Sequence, residues 1–202
     1  PSYLRIGGVA QDVTPEFIKK VREFVARFPK AVDGYHQLLT DNAIWTRRTK
    51  NIGILTAAEA LSYGITGPTL RGSGVAYDLR KDAPYSCYDD FDFQVPVGDY
   101  GDAYDRYLVR MEEFIQSTKI IEQAIENLPE GPIQTDNPQV AIPDLQAVQK
   151  DAGALIRRFK IGSDGPSLPS GELYFAVEGA KGELGFYLVG DGSSRPYRLK
   201  IR

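Results

Sequence analysis

Two short stretches of this sequence carry residue types that could do chemistry. The first is "LRGSGVAYDLRKD", 70–82, where Arg71, Asp78, Arg80 and Lys81 are interleaved with Gly72 and Gly74. Glycines let a backbone take positive φ or come close to a partner. Such a stretch can hold a buried ion-pair network or an interface, and the residues favour neither. A phosphate-binding loop does not fit, because no strand leads in and no Gly-Lys-Ser/Thr follows. The second stretch is "EGAKGELG", 178–185, where Lys181 sits between small residues with Glu183 two places on. A lysine in a tight turn is ordinarily solvated. Buried, it needs a carboxylate partner or loses its charge. Held fixed, it presents an ammonium to a charged or redox-active neighbour. Arg5, in "YLRIGGV" before a Gly-Gly turn, is a weaker signal of the same kind, and Arg195 opens the run of basic residues in the tail.

The other reactive types read as structural. His36 stands alone, without a second ligand at metal-binding spacing. Cys87 in "YSCYDDFDF" has no basic neighbour to activate it, so a buried or inert thiol is expected. Asp89, Asp90 and Asp92 do not match a calcium-loop pattern, and a solvated loop or ion pairs to the nearby Arg-Lys run suits them better. The single cysteine excludes an internal disulfide and any multi-cysteine zinc or iron–sulfur site in these residues. With 24 basic against 27 acidic residues, no global field invites nucleic acid. No apolar run reaches the ~20 residues of a membrane span, and the start has no signal-peptide core, so any membrane contact is expected to be peripheral.

The elements that must position these residues follow from periodicity. "TPEFIKKVREFVARFP" reads as a helix with Thr14 as cap, Pro15 first, Glu16 at the positive end and Pro29 as the stop. "DNAIWTRRT" reads as a short helix capped by Asp41, and "TAAEALSYG" as one with a Thr56/Glu59 capping box and Gly64 at its end. Residues 64–101 read as loops, apart from a short strand in "DFDFQVPV". The longest helix spans "DAYDRYLVRMEEFIQSTKIIEQAIENLPEG", with an apolar stripe of Tyr104, Tyr107, Leu108, Met111, Phe114, Ile115, Ile121, Ile125 and Leu128. A polar linker follows. "DLQAVQKDAGALIRRFK" reads as one helix from an Asp144 cap, with Leu145, Val148, Ala152, Leu155, Ile156 and Phe159 inward. After a Gly/Ser/Pro loop the period switches to 2, giving three antiparallel strands with turns at 179–182 and 191–194. The fold expected is α+β, mainly α: one domain over 1–202, with a helical body over about 14–160 and a small antiparallel sheet over about 172–202.

Four stretches together carry a family resemblance: "YLRIGGV", "IWTRRTKNIGILTAAEALSYGITGPTLRGSGVAYDLRKDAPY", "YDDFDFQVPVGDYGDAYDRYLVRMEEFIQS" and "KGELGFYLVGDGSSRPYRLKIR". In this order they resemble the D subunit of proton-translocating NADH:quinone oxidoreductase, respiratory complex I. That family is homologous to the large subunit of nickel–iron hydrogenases, and only its middle and later part is matched. The resemblance implies a peripheral subunit on the cytoplasmic face of the bacterial inner membrane, or the matrix face in mitochondria. It implies partners among the other complex I subunits: the B subunit, which carries the terminal iron–sulfur cluster, the C and I subunits, and the H subunit in the membrane.

The resemblance also implies a share in a quinone cavity during electron transfer from NADH to quinone, or a purely structural assembly role. FMN and iron–sulfur clusters belong to partner subunits, and no cofactor or metal is expected on this chain. "EGAKGELG" resembles the hydrogenase loop Glu-Ala/Gly-Pro-Arg-Gly, which places Lys181 in the basic position with Glu178 and Glu183 flanking it. Ala180 replaces the usual proline, and Arg157 and Arg158 stand where the family has histidines. The family's early His-Pro-Ser/Thr-His-Gly loop, which holds the quinone headgroup, and a later tyrosine and aspartate have no match. The expectation is therefore a fragment of a chain about twice as long, inactive by itself and with no catalytic residue assigned. Lys181, Glu183, Arg5, Arg71, Asp78, Arg80, Lys81 and Arg195 are then candidates for supporting a site or an interface.

Overall fold

The computed structural model describes residues 3–138, 140–165 and 167–202. In chain order the elements begin with β1 (Leu4–Arg5), β2 (Gly8–Val9), and α1 (Pro15–Tyr35) continued by a π-helical turn (His36–Thr40). Four short helices follow: α2 (Ala43–Thr49), α3 (Ala57–Ser62), α4 (Gly67–Gly72) and α5 (Leu79–Asp82). After a 3-10 turn (Tyr88–Asp90) come α6 (Ala103–Glu126), α7 (Leu145–Lys150) and α8 (Ala152–Ser163). The chain closes with β3 (Gly171–Gly179), β4 (Gly182–Gly190) and β5 (Arg198–Ile201). It is α+β and mainly α, with its larger sheet late in the chain, in strand order β3-β4-β5.

The described residues gather into two compact units. One consists of 15–128, the hairpin tip 175–185 and Arg202; the other of the described residues in 1–14, 129–174 and 186–201. The first is the helical unit. Its core is Val25 and Val32 of α1, Ala60, Leu70, Leu79 and Phe93, and Tyr104, Val109, Met111 and Ile120 of α6. In the second, β1 and β2 pair antiparallel and Val9 N–H donates to the Ile133 carbonyl at 3.0 Å. There too β4 and β5 pair antiparallel with Phe186 opposite Ile201. Of the loops expected in this unit, Gln139 and Pro166 lie outside the described residues, as do Pro1 and Ser2 of the opening stretch.

Local signals held where the partner is local. Thr56 and Glu59 form the reciprocal capping box, and Gly64 takes φ +65 after α3. Asp144 caps α7 by accepting from Ala147 N–H. They failed where tertiary contacts decide. Pro29 does not stop α1, which runs through it to Tyr35. A proline inside a helix costs about 3 kcal/mol, and burial of Val25 and Val32 on either side offsets that. The cap of α2 is Asn42 rather than Asp41; its Oδ1 accepts from Ile44 and Trp45 N–H.

Residues 64–101, expected as loops, contain α4, α5 and the 3-10 turn, while the strand expected at 90–97 does not form. There the extended backbone is held by side-chain amides of α6 instead of a neighbouring strand. Gln123 Oε1 accepts from Asp92 N–H at 2.8 Å, and Gln116 Oε1 from Gln94 N–H at 3.0 Å. The buried face of α6 also differs from the apolar stripe. It takes in Asp105, Gln116 and Thr118, whereas Phe114, Ile121 and Leu128 are exposed. The helix expected over 144–160 breaks at Asp151, which ends α7 and caps α8 through Gly153 and Ala154 N–H. Of its expected inner face, Leu145, Leu155, Ile156 and Phe159 are exposed, and Ala154 is the buried position.

The hairpin tip is seated on the start of α4 through two glycines. Gly182 holds φ +126, and a Cβ there would lie 2.6 Å from Thr66 Oγ1. Gly67 opposite holds φ +68, and its own Cβ would strike the Gly182 backbone. Thr66 Oγ1 accepts from Glu183 N–H at 3.0 Å. Gly182→Ala therefore meets both strain and a clash, and is expected to destabilise the chain by at least about 1–3 kcal/mol. Gly34→Ala is the contrasting case, inside α1 with nothing within 4 Å. It is expected to stabilise by up to about 1 kcal/mol. Urea midpoints of the two variants against the parent check both signs.

Candidate functional site

Arg71 is the centre of the helical unit's polar interior, with 1% of its side chain exposed. It sits in the last turn of α4, with its guanidinium facing three carboxylates: Asp78 nearby in the chain, and Glu113 and Glu178 from distant parts of it. Its Nε donates to Glu113 Oε1 at 2.8 Å, and Nη2 lies 2.6 Å from the same oxygen. Its Nη1 donates to the Tyr77 carbonyl at 2.8 Å and to Glu178 Oε1 at 2.9 Å. Asp78 Oδ2 stands 3.6 Å from Nη1.

Asp78 is wholly buried and spends both oxygens on Arg80. Oδ1 accepts from Arg80 Nε and from the Arg80 backbone N–H, each at 2.9 Å, and Oδ2 accepts from Nη2 at 2.6 Å. The same side chain thereby caps α5 and pins Arg80. Burial alone would raise the Asp78 carboxyl; the bonds and charge of Arg80, with Arg71 behind, outweigh it and hold the group below its ordinary value. Glu178 has both oxygens engaged as well, by Arg71 and by Leu79 N–H. Its backbone N–H donates to the Tyr85 hydroxyl at 3.0 Å. Glu113 is different: burial pushes its carboxyl up, and the Arg71 charge and hydrogen bonds do not offset that.

Beside this network lies a cavity of about 470 Å³. Its wall brings together Arg71, Arg80 and Arg110, the carboxylates Glu113 and Glu178, and Lys181. Four cations against two carboxylates leave the wall positive. Lys181 is exposed, and among the described residues no carboxylate is in ion-pair contact with it. The chemistry on offer is attraction of an anion or an oxygen-rich group, plus one carboxyl disposed to hold a proton at higher pH than usual.

The predicted residues divide accordingly. Arg71, Asp78, Arg80 and Lys181 come together at the cavity or just behind it. Glu183 anchors the hairpin through its backbone. Lys81 is not among the cavity-lining residues; its Nζ is 4.3 Å from the Phe93 ring centroid, a ring the Arg80 guanidinium also covers at 4.9 Å. Arg5 and Arg195 belong to the other unit, and both are exposed. The stretch 70–82 left two readings open, and the structure makes Arg71 and Asp78 a buried ion network. Sequence reasoning missed Glu113 and Arg110, which lie in the polar pattern of a long helix without any local mark. His36 donates to or accepts from Thr40 Oγ1 at 2.8 Å, and Cys87 is exposed rather than buried. Asp89, Asp90 and Asp92 are all exposed. Among the described residues no cluster of three His, Cys, Asp or Glu could hold a metal, and no helix is long and apolar enough to cross a membrane.

Comparison with known proteins places these features in a family. The model of the 49 kDa subunit of respiratory-chain NADH dehydrogenase matches residues 1–202. The chain is 51% identical over 201 residues to the D subunit of the NADH-quinone oxidoreductase of Trichlorobacter lovleyi, covering all of this chain and 52% of that protein. It is 50% identical to that of Geotalea uraniireducens, again over 52% of it. It is 48% identical to that of Ehrlichia chaffeensis, over 51% of it. The chain spans about half the length of these relatives.

Removing one partner of a buried ion pair costs about 3–5 kcal/mol. Asp78→Asn is therefore expected to destabilise the chain by that order at neutral pH. Because the folded Asp78 carboxyl lies below 3.8, its contribution is present above that pH and is lost as pH falls through the folded value. Glu113 acts with the opposite sign: raised above 4.5, it favours the fold at low pH and loses that contribution as pH rises through its folded value. Urea unfolding between pH 3 and 7 is expected to show the parent losing stability at the acid end, and Asp78→Asn losing less.

Proposed function

Because the chain belongs to the family of the 49 kDa subunit of respiratory-chain NADH dehydrogenase, we propose that it works as part of the quinone-reducing subunit of an NADH-quinone oxidoreductase. In this reading it shapes a quinone cavity beside a partner's terminal iron–sulfur cluster, while electrons pass from NADH to quinone in step with proton translocation. The redox groups belong to partner subunits. FMN and the clusters sit there, and this chain contributes walls, charge and position. The partners are those of the complex, with the cluster-bearing subunit foremost and a membrane subunit alongside. The chain would lie at the membrane face as a peripheral component, on the cytoplasmic or matrix side.

The observation that carries this reading is the positive cavity built on the Arg71 network, with Lys181 at its wall. Quinone reduction builds negative charge on the headgroup oxygens. Fixed cations in a partly dry cavity stabilise that charge without reorganising. The network explains how the cations stay fixed: Arg71 and Arg80 are each locked by carboxylates, and the Lys181 turn is seated on α4.

A second reading, a purely structural assembly module, is favoured by one observation. Ile52, Ile54, Tyr63 and Tyr100 of the helical unit are all more than half exposed. Exposed apolar surface marks partner contacts where it is contiguous. The two readings separate on Lys181→Met, made in the full-length chain of the assembled complex. Under the cavity reading the complex assembles and its quinone reductase kcat/KM falls about ten-fold, the equivalent of about 1.4 kcal/mol. Unchanged activity and assembly would remove Lys181 from the site and leave the assembly reading.

A further inference from the structure

The cations at the cavity outnumber the carboxylates that meet them. Arg71, Arg80, Arg110 and Lys181 face it. Against them stand Glu113 and Glu178 at the wall and Asp78 behind it, which leaves one cation unmatched even with every carboxyl ionised. The two inner guanidinia are already engaged. Arg71 donates to Glu113, Glu178 and the Tyr77 carbonyl, and Arg80 puts Nε and Nη2 on Asp78. Arg110 and Lys181 remain. Arg110 Nη1 donates to the Arg106 carbonyl at 2.7 Å. Among the described residues neither cation has a carboxylate within ion-pair distance.

Both are carried by well-placed backbone. Arg110, Glu113, Phe114 and Ser117 fall at i, i+3, i+4 and i+7 of α6, so they share one face of that helix. Phe114 on that face is 43% exposed. Lys181 stands at the hairpin tip, whose glycine contact with α4 fixes the turn. An exposed ring beside two unmatched cations fits a packed segment that carries an acid. A free anion would be held by two exposed, hydrated side chains alone, and such contacts are weak.

We propose that one Asp or Glu side chain from the half of the family chain outside these residues seats in this cavity, on Lys181 and Arg110. The relatives are matched over 52%, 52% and 51% of their length, so about half of each lies outside the match. That half is tethered to this one, which gives it a high effective concentration at the cavity compared with a separate partner. One carboxylate balances the ionised set, and a second would leave it negative. As the segment covers Phe114 it excludes water, and the attraction between acid and cations strengthens. The inference rests on family membership and holds whether or not a quinone enters the cavity.

The test uses the full-length chain in the assembled complex. A zero-length carbodiimide joins a carboxylate to a lysine in contact with it as an amide, and peptide mass spectrometry reads the partner of Lys181. The expected product joins Lys181 to an Asp or Glu of the same chain outside these 202 residues. A product confined to Glu113, Glu178 or Glu183, or one joining Lys181 to another subunit, overturns the proposal. If no product forms, thermal unfolding decides. Lys181→Met leaves the acid with Arg110 alone and is expected to lower the Tm of the subunit by at least about 2 °C, while Lys181→Arg stays within about 1 °C of the parent. A Lys181→Met Tm equal to the parent's then overturns the proposal. A loss of quinone reductase activity in Lys181→Met with no amide and an unmoved Tm overturns this inference alone. The expected amide beside unchanged activity supports it and removes Lys181 from the quinone reading.

Discussion

A guanidinium cannot lose its charge in a protein interior, so a buried arginine dictates its surroundings. Arg71 is that constraint here. It is nearly sealed from water and must be met by carboxylates, and the chain brings them from 42 residues away on α6 and 107 residues away on the hairpin. Each partner also ties down its own element. Asp78 caps α5 while gripping Arg80, and Glu178 holds the first residue of α5 through Leu79 N–H while its own backbone is fastened to Tyr85. The helical unit's short helices would be marginal alone. These charge-assisted bonds add to the apolar core in holding them.

The second constraint is steric. Gly67 and Gly182 let two backbones approach as no side chain would allow, which seats the turn bearing Lys181 on α4 next to Arg71. A lysine in a bare turn between alanine and glycine is then explicable. The small neighbours serve the backbone contact, and the lysine is the group carried to the cavity wall. Glu178 and Lys181, three residues apart, thereby serve opposite ends of one arrangement: one neutralises the buried cation and the other adds charge where the cavity opens.

What was legible in the sequence was what is encoded locally. The Thr56–Glu59 capping box, the Asp144 cap, the long α6 helix and the late antiparallel strands need only neighbouring residues to be recognised. The misreadings share one cause. Pro29 reads as a stop because the local rule ignores the burial of Val25 and Val32 around it. "DFDFQVPV" alternates like a strand and is extended, but Gln116 and Gln123 of α6 fill the place of a strand neighbour. Asp105, Gln116 and Thr118 are buried on α6 because polar partners meet them there, so the apolar stripe was not the buried face. At the candidate site, Arg71, Asp78 and Arg80 stood out through their interleaved glycines. Glu113 did not, because in "RMEEF" it looks like any glutamate of a solvated helix face, and nothing local says that Arg71 will reach it.

That asymmetry bears on how the site works. A network that satisfied every oxygen would be rigid and chemically silent, as Asp78 with Arg80 is. A carboxylate left wholly unpaired at this depth would be costly, and would simply stay protonated. Glu113 stands between these limits. Arg71 stabilises its ionised form through one oxygen, burial favours its neutral form, and the second oxygen remains open. Burial prevails, so the group keeps its proton to higher pH than an exposed glutamate, while Arg71 limits how far that goes. The same buried arginine that organises the fold thus sets the charge balance at the cavity wall, where Glu113 and Glu178 both meet it.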